Sequence, residues 1–219
     1  MNVRIETKKA FRIAGLVTVH SQNDDFPGLW EKLFEQVSYE KLAALGSGEQ
    51  AMAAFRTSLD KRFDQPDWAW AGIGDVLAEQ REYRQAAEAY RAAVQANPEN
   101  DDWPYHQAVN LKDAGFSAQA LAITSELVAQ HPQVARNWRQ HGFVLATLGR
   151  AAEAIPAMER SLQLDARQGK VWTALIETYH QAGRFDDARR AYQTLRGIDA
   201  EFAGIAYREV IFPHEESSR

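Results

Sequence analysis

The sequence predicts a mainly α-helical protein, an α-solenoid of four stacked helical hairpins, because several residue series repeat with one common period. Trp70, Trp138 and Trp172 are separated by 68 and then 34 residues. Alanines and glycines keep the same step, at Ala86, Ala120, Ala154 and Ala188 and at Gly115, Gly149 and Gly183. One hairpin cannot bury its apolar face alone, so neighbouring hairpins must stack. The four predicted repeats span residues 67–100, 101–134, 135–168 and 169–202.

The fourth repeat shows why each repeat is predicted to be a pair of helices. Trp172, Leu175 and Tyr179 have the spacing of residues on one helix face. Gly183 is expected to end this first helix, because glycine tolerates the left-handed conformation of a helix C-cap. A second apolar stripe follows, in which Ala188 must be small because two helix backbones come close there.

The first repeat carries a recognisable set of residues in order: Trp70, Ile73-Gly74, Leu77, Tyr83, Ala86, Tyr90, Ala93 and Pro98. This set resembles the tetratricopeptide repeat, whose pattern runs Trp, Leu-Gly, Tyr, Ala, Phe and Pro. The second repeat is the loosest, with Pro104 in place of the tryptophan and Thr124 in place of the aromatic of the second helix. The resemblance implies a concave side, lined by the first helices of successive hairpins, that commonly binds an extended peptide or a partner helix.

Two further features modify the predicted array. Pro156 falls several residues into a predicted helix, so we expect it to bend that helix or to move its start. Residues 203–212 are predicted to form a helix that caps the last hairpin, and residues 213–219 a frayed tail.

Residues 1–66 do not follow the repeat and are predicted to form a strand followed by helices. Apolar residues between 3 and 19 take mostly odd positions, which is the period of a strand. The stretch from Ile5 to Leu16, with the helical pattern that follows it, resembles the opening of a GyrI-like effector-binding domain over residues 1–48. The later strands and the acidic pocket residue of that family have no counterpart, so the resemblance implies no ligand-site residue. The strand is expected either to fold on itself or to pair with a second chain in a homodimer.

Composition and charge exclude several functional classes. The net charge of −5 gives no basic field for nucleic acid, and no apolar run approaches the roughly 20 residues that cross a membrane. The first residues lack a charged-then-apolar signal pattern, which favours the cytoplasm. The chain has no cysteine, and none of its six histidines has the i, i+4 spacing of a helical zinc site. We therefore expect no metal, no cofactor and no enzymatic activity.

The predicted functional surface is the row of first-helix residues that lie outside the core, called the first-helix row below. It consists of Trp68, Asp75, Glu79, Tyr105, His106, Val109, Lys112, Arg136, Arg139, Gln140, Phe143, Lys170, Thr173, Glu177, His180, Tyr207 and Arg208, the last two from the cap. The expected ligand is a protein or peptide, and Arg136, Arg139 and Lys170 could hold an acidic segment of it.

The leading functional hypothesis is a bacterial-type cytoplasmic scaffold or adaptor. A purely solvated charged face is the simpler interpretation of the first-helix row. The alternative functions are a ligand-responsive regulator that uses the GyrI-like segment and a homo-oligomeric structural element joined through residues 3–19.

Overall fold

The computed structural model describes residues 66–211, and over this range the chain forms helices joined by short turns, with no strand. The helices are α1 (Pro66–Glu79), α2 (Tyr83–Ala96), α3 (Asp102–Asp113), α4 (Ser117–Gln130), α5 (Ala135–Thr147), α6 (Ala151–Leu164), α7 (Gly169–Gln181), α8 (Phe185–Ile198) and α9 (Ala200–Ala206). A π-helical turn, Tyr207–Ile211, follows α9. The strand and helices predicted for residues 1–65 and the tail predicted for residues 213–219 lie outside the described residues.

The chain divides between Ala114 and Gly115 into two compact units, residues 1–114 and 115–219. In the described range the first unit holds α1 to α3, and the second unit holds α4 to the π-helical turn. None of the described helices has both the length and the apolar character needed to cross a membrane.

The core of the first unit lies on both sides of α2. Ile73 and Leu77 of α1 pack with Ala86 and Ala89 of α2. The other side of α2 presents Tyr90 and Ala93 to Trp103 of α3, and both Tyr90 and Trp103 are buried. Helix α2 therefore holds α1 and α3 together through apolar contacts on two faces.

The second unit has one continuous apolar core that extends from α5 to the π-helical turn. Its largest fully buried side chains include Met158 of α6, Ile176 of α7 and Leu195 of α8. Helix α6 packs against α5 and α7, and α8 packs against α7 and α9. This arrangement buries the apolar stripe that no single hairpin could cover.

The repeated alanines mark buried positions in both units, as the sequence predicts. Ala86, Ala120, Ala154 and Ala188 all have 0% relative exposure. The repeated tryptophans also have equivalent contacts: the indole N–H of Trp138 donates to the carbonyl of Pro132 at 2.8 Å, and that of Trp172 donates to the carbonyl of Ala166 at 2.9 Å. Both bonds reach back six residues and fasten the start of a first helix to the turn that precedes it.

The turn inside each hairpin needs one residue with a left-handed backbone. Gly115, Gly149 and Gly183 have φ of 85°, 71° and 71°, and the equivalent residue of the first repeat is Arg81, with φ of 62°. A side chain with a Cβ is disfavoured in this conformation, whereas glycine adopts it without a steric penalty.

Replacing Arg81 by glycine is therefore expected to raise the free energy of unfolding by about 1 kcal/mol. Urea denaturation of the full-length chain measures this change. Arg91→Gly is the control, because Arg91 is an exposed residue in the middle of α2. Glycine at that position should lower the free energy of unfolding by about 1 kcal/mol. A decrease in stability for both variants would contradict the explanation from backbone strain.

Pro156 does not move the start of its helix, contrary to one of the two predicted effects. Helix α6 begins at Ala151 and continues through Pro156 to Leu164. The missing N–H of Pro156 leaves the carbonyl of Ala152 without its usual donor. Both residues are exposed, so water can hydrogen-bond to that carbonyl.

The predicted capping helix also has different bounds from those expected. Helix α9 begins at Ala200, three residues before the predicted start at residue 203, and it ends at Ala206. The earlier start has a local cause, since the carboxylate of Asp199 accepts hydrogen bonds from the backbone N–H groups of Glu201 and Phe202, both at 3.1 Å. Ala203, Ala206 and Val210 are buried against the last hairpin, as a cap requires.

Candidate partner-binding surfaces

The first turn of α1 is fixed by a buried carboxylate. Asp67 has 3% relative exposure, and its Oδ2 accepts hydrogen bonds from Nε1 of Trp103 at 3.0 Å and from Nδ2 of Asn97 at 3.1 Å. Trp68, a predicted member of the first-helix row, meets the ring of Trp103 edge to face at 4.8 Å between centroids. Trp68 thus has a structural contact within the first unit. Asp67 joins α1 to α3 and to Asn97 at the end of α2.

Asp75, a second member of the row, lies beside a group of aromatic side chains in the first unit. The hydroxyl of the buried Tyr90 donates a hydrogen bond to Oδ1 of Asp75. The ring of His106 stacks on that of Tyr90, with 5.2 Å between centroids and 16° between planes. Asp75, Tyr90 and His106 therefore link α1, α2 and α3 through side chains.

This setting changes the acidity of both hydrogen-bonded groups. Burial raises the pKa of Asp75 to about 7, the hydrogen bond from Tyr90 acts in the opposite direction, and the charge of Glu79 adds to the rise. Burial and the adjacent carboxylate also raise the pKa of Tyr90 above its ordinary value. Asp75 can therefore change its charge near neutral pH, which an exposed aspartate does not do.

Arg139 is joined to a hydrogen-bonded network around Gln168 in the second unit. Its Nη1 donates to Oε1 of Gln168 at 3.2 Å. Gln168 is buried, and its Nε2 donates to the Ser161 carbonyl and hydroxyl and to the Asp165 carbonyl at 2.9–3.1 Å. The Ser161 hydroxyl in turn donates to the carbonyl of Ala135 at 2.9 Å. This network fastens the turn before α7 to α5 and α6.

The other predicted residues of the second unit lie along α5, α7 and the π-helical turn. Helix α7 contacts both α5 and the turn, so these elements form one continuous side of the unit. Lys170, Glu177, Tyr207 and Arg208 are exposed, and Arg136, Phe143, Thr173 and His180 are half-buried. We call one group of these residues the basic face. It consists of Arg136, Arg139, Lys170 and Arg208, with Glu177 as its acidic member.

The remaining predicted residues of the first unit lie on α1 and α3. Glu79 is exposed in the last turn of α1, and Val109 and Lys112 are half-buried on α3. The ammonium group of Lys112 pairs with the carboxylate of Asp113. Asp75 and Glu79 thus make the α1 end of the row acidic.

Two members of the first-helix row are buried rather than accessible. Tyr105 has 9% relative exposure and meets the ring of His106 edge to face at 5.3 Å. Gln140 has 4% relative exposure, and its Nε2 makes no hydrogen bond to the protein. Helix α5 contacts both α4 and α6, so Gln140 beside its apolar stripe is covered too.

Sequence reasoning missed Gln168, the residue that contacts Arg139. Residues at the equivalent position of the other repeats are Asn100, Val134 and Phe202, so no periodic signal marks it. It also missed why Thr124 is acceptable at an aromatic position: its Oγ1 lies 3.0 Å from Nδ1 of His141, so a polar contact joins α4 to α5. Burial lowers the pKa of His141, which favours its neutral form in that contact.

Residues 68–100 and residues 145–207 each match a family model described as tetratricopeptide repeat. Two stretches of the chain thus match the tetratricopeptide repeat. The matched ranges include almost all of the first repeat and the fourth, which confirms the predicted resemblance there. Neither range covers residues 1–48, so the GyrI-like resemblance gains no support from these two models.

A relative and several solved structures are similar to these tetratricopeptide repeats. The chain is 28% identical over 102 residues to anaphase-promoting complex subunit cut9 of Schizosaccharomyces pombe, a match that covers 46% of this chain and 15% of that protein. It therefore spans only a small part of that relative.

The similar solved structures include MamA 41-end from Desulfovibrio magneticus RS-1, with a TM-score of 0.67, 19% identity and coverage of 78% of this chain and 95% of that one. YrrB, described as a TPR protein with an unusual peptide-binding site, has a TM-score of 0.62, 21% identity and coverage of 84% and 98%. At such low identities these structures show a common solenoid fold, and the fold alone.

The part of the chain that the structure describes holds no group of three or more histidine, cysteine, aspartate or glutamate side chains placed to bind a metal ion. Some of its charged side chains form ion pairs at helix starts, such as Arg150 with Glu153 and Arg184 with Asp187.

Proposed function

We propose that this chain is a non-enzymatic protein-interaction scaffold, and that the basic face of its second unit binds an acidic segment of a partner protein. The observation that carries the proposal is the charge of that face. The face carries Arg136, Arg139, Lys170 and Arg208 and, among the side chains that were grouped with them above, one carboxylate, Glu177, although the whole chain has a net charge of −5. The tetratricopeptide repeats and the peptide-binding site named for YrrB support the general class.

The chemistry of arginine favours a carboxylate-bearing ligand. A guanidinium group presents donors in a planar fork that matches a carboxylate, and the resulting charge-assisted hydrogen bonds are stronger than neutral ones. Half-buried Phe143 and Thr173 lie on the same two helices as Arg139 and Lys170, so the face also offers apolar contact. A partner segment that alternates acidic and apolar residues fits this combination.

Arg139→Glu is expected to weaken binding of a fluorescein-labelled peptide that alternates glutamate and leucine by at least about tenfold. Fluorescence anisotropy with the full-length chain measures the affinity. The reason is that the substitution replaces the central cation of the face with a charge that repels the peptide.

Arg196→Glu makes the same charge change at an exposed position of α8. It should leave the affinity for the peptide within about twofold of the wild-type value. A peptide with lysine in place of glutamate should bind much more weakly, although the negative net charge of the chain would favour it. Equal losses for Arg139→Glu and Arg196→Glu, or equal binding of the two peptides, would contradict the proposed function.

The other predicted functions gain no support from the described residues. A ligand-responsive regulator and a homodimer through residues 3–19 both depend on a segment outside the described range. The absence of enzymatic activity and the cytoplasmic location likewise remain predictions from the sequence.

A further inference from the structure

The contact between α4 and α5 differs in chemistry from the equivalent contact between α2 and α3. Tyr90 of α2 packs with Trp103 of α3, and its ring stacks on that of His106. The repeat period of 34 residues identifies the equivalent positions on α4 and α5. They hold Thr124, Asn137 and Gln140. Three polar side chains without an aromatic ring thus replace three rings.

The next repeat shows that these positions do not require polar side chains. Between α6 and α7 the same three positions hold Met158, Val171 and Ala174, all apolar. Met158 and Val171 have 0% relative exposure. The positions therefore belong to the apolar core in the fourth repeat, and the polar group on α4 and α5 is a feature of this one contact.

All three polar side chains on α4 and α5 are buried. Thr124 and Asn137 have 0% relative exposure, and Gln140 has 4%. Thr124 has partners for its hydroxyl, since Oγ1 donates to the carbonyl of Leu121 at 3.2 Å and lies 3.0 Å from Nδ1 of His141. The hydroxyl is therefore accounted for within the protein.

The two amides on α5 differ from Thr124 in this respect. Within the part of the chain that the structure describes, neither Nδ2 nor Oδ1 of Asn137 makes a hydrogen bond, and neither does Nε2 of Gln140. A buried amide without a partner is strongly unfavourable, and in folded proteins such groups are paired with protein atoms or with ordered water. The donors and the acceptor of this pair therefore require a small polar ligand.

The spacing of the two residues suits a single bridging molecule. Residues three apart on a helix are neighbours, with Cβ atoms about 5–6 Å apart. One water molecule spans about 5.5 Å between two polar atoms, because each of its hydrogen bonds is about 2.8 Å long. Water both donates and accepts, so it complements the acceptor Oδ1 of Asn137 and the donor Nε2 of Gln140.

The same contact favours the space that a buried water needs. Such a site must be polar and roomy, with two to four hydrogen-bond partners for the water. The side chains of Thr124 and Asn137 are much smaller than those of Tyr90 and Trp103 at the equivalent positions. The replacements therefore reduce side-chain volume and add polar atoms at one place.

We propose that the contact between α4 and α5 contains a hydration site, in which at least one buried water molecule donates a hydrogen bond to Oδ1 of Asn137 and accepts one from Nε2 of Gln140. The low exposure of both residues selects water, because a larger ligand could enter only if the helices separated. The site does not depend on the proposed function, since neither amide belongs to the basic face.

Nuclear magnetic resonance of the full-length, ¹⁵N-labelled chain tests the site directly. The side-chain amide protons of Asn137 and Gln140 should show nuclear Overhauser cross-peaks to water, with the sign of a water molecule that resides in the protein. The side-chain amide of Gln168 is the control, because it is buried and its Nε2 already donates to three protein acceptors. Absence of a water cross-peak from both Asn137 and Gln140 would overturn the proposal.

Oxygen-17 relaxation of the solvent provides a second test, because it counts the long-lived water molecules of a protein. Asn137→Val introduces the residue found at the equivalent position of the fourth repeat, Val171, and should remove at least one long-lived water. Thr178→Val is the matched control. It also removes a buried polar group of the second unit, but Oγ1 of Thr178 already donates to the carbonyl of Ala174 at 2.7 Å, so the count should not change.

An unchanged count in Asn137→Val, or the same loss in Thr178→Val, would contradict the proposed site. If Asn137→Val does not fold, the cross-peaks of the wild-type chain still decide between a hydrated and a dry contact.

Discussion

Asp75→Asn is expected to abolish a loss of stability that we expect for the wild-type chain as the pH rises from about 4 to about 7. Burial raises the pKa of Asp75 from 3.8 to about 7, so the folded state binds the proton more tightly than the unfolded state. The stability contributed by this proton is fully present below the unfolded pKa and is lost as the pH rises towards the folded pKa. The difference corresponds to about 4 kcal/mol at most.

Urea denaturation at a series of pH values measures this effect as a change in the free energy of unfolding. The asparagine variant should show a flatter profile and should be more stable than the wild type above about pH 7, because it cannot acquire the buried charge. Glu153→Gln is the control, since the hydrogen bond from Arg150 lowers the pKa of Glu153 on the surface of α6. The control should keep the fall in stability, and a fall that persists in Asp75→Asn would rule out Asp75 as its source.

Ala154→Leu is expected to lower the free energy of unfolding by about 1–3 kcal/mol or more, because the added atoms have no space. Ala154 is fully buried in α6, and the close approach to α5 is visible at Gly142, where an added Cβ would lie 2.7 Å from Cγ of Met158. The neighbouring side chains would have to leave their preferred rotamers or the two helices would have to separate.

Thermal or urea denaturation of the full-length variant measures the loss. Ala152→Leu makes the same change two residues earlier in α6, where the side chain is exposed, and should change the stability by less than about 0.5 kcal/mol. Similar losses in both variants would mean that the repeated alanine is not required for close helix packing.

The repeat itself could be predicted because its signals lie within short stretches of the chain. Gly149 and Gly183 end first helices with a positive φ, and Ala154 and Ala188 are fully buried, as their spacing indicated. A glycine turn and a helical stripe are local features, so a period in the sequence reports them directly. The bounds of α9 were less predictable, because they depend on a cap from the single side chain of Asp199.

The candidate sites could be predicted only in part. The sequence places Arg139 in the first-helix row, but it cannot show that Gln168, 29 residues later, accepts a hydrogen bond from it. Asp75 was predicted as one of several polar residues, whereas burial in the folded chain raises its pKa, and the hydrogen bond from Tyr90, 15 residues away in the next helix, acts against that rise. Gln140 was predicted on the same surface and is buried.

The sequence by itself determined the resemblance to the tetratricopeptide repeat, the order of the helices in the repeats and the small residues that let the helices approach. These properties follow from periodicity, which one dimension records. Only the tertiary structure decided which side chains meet across helices, as Asp75 meets Tyr90 and Arg139 meets Gln168. Such contacts depend on packing distances between helices and on burial, and a residue's position in the repeat does not specify either of them.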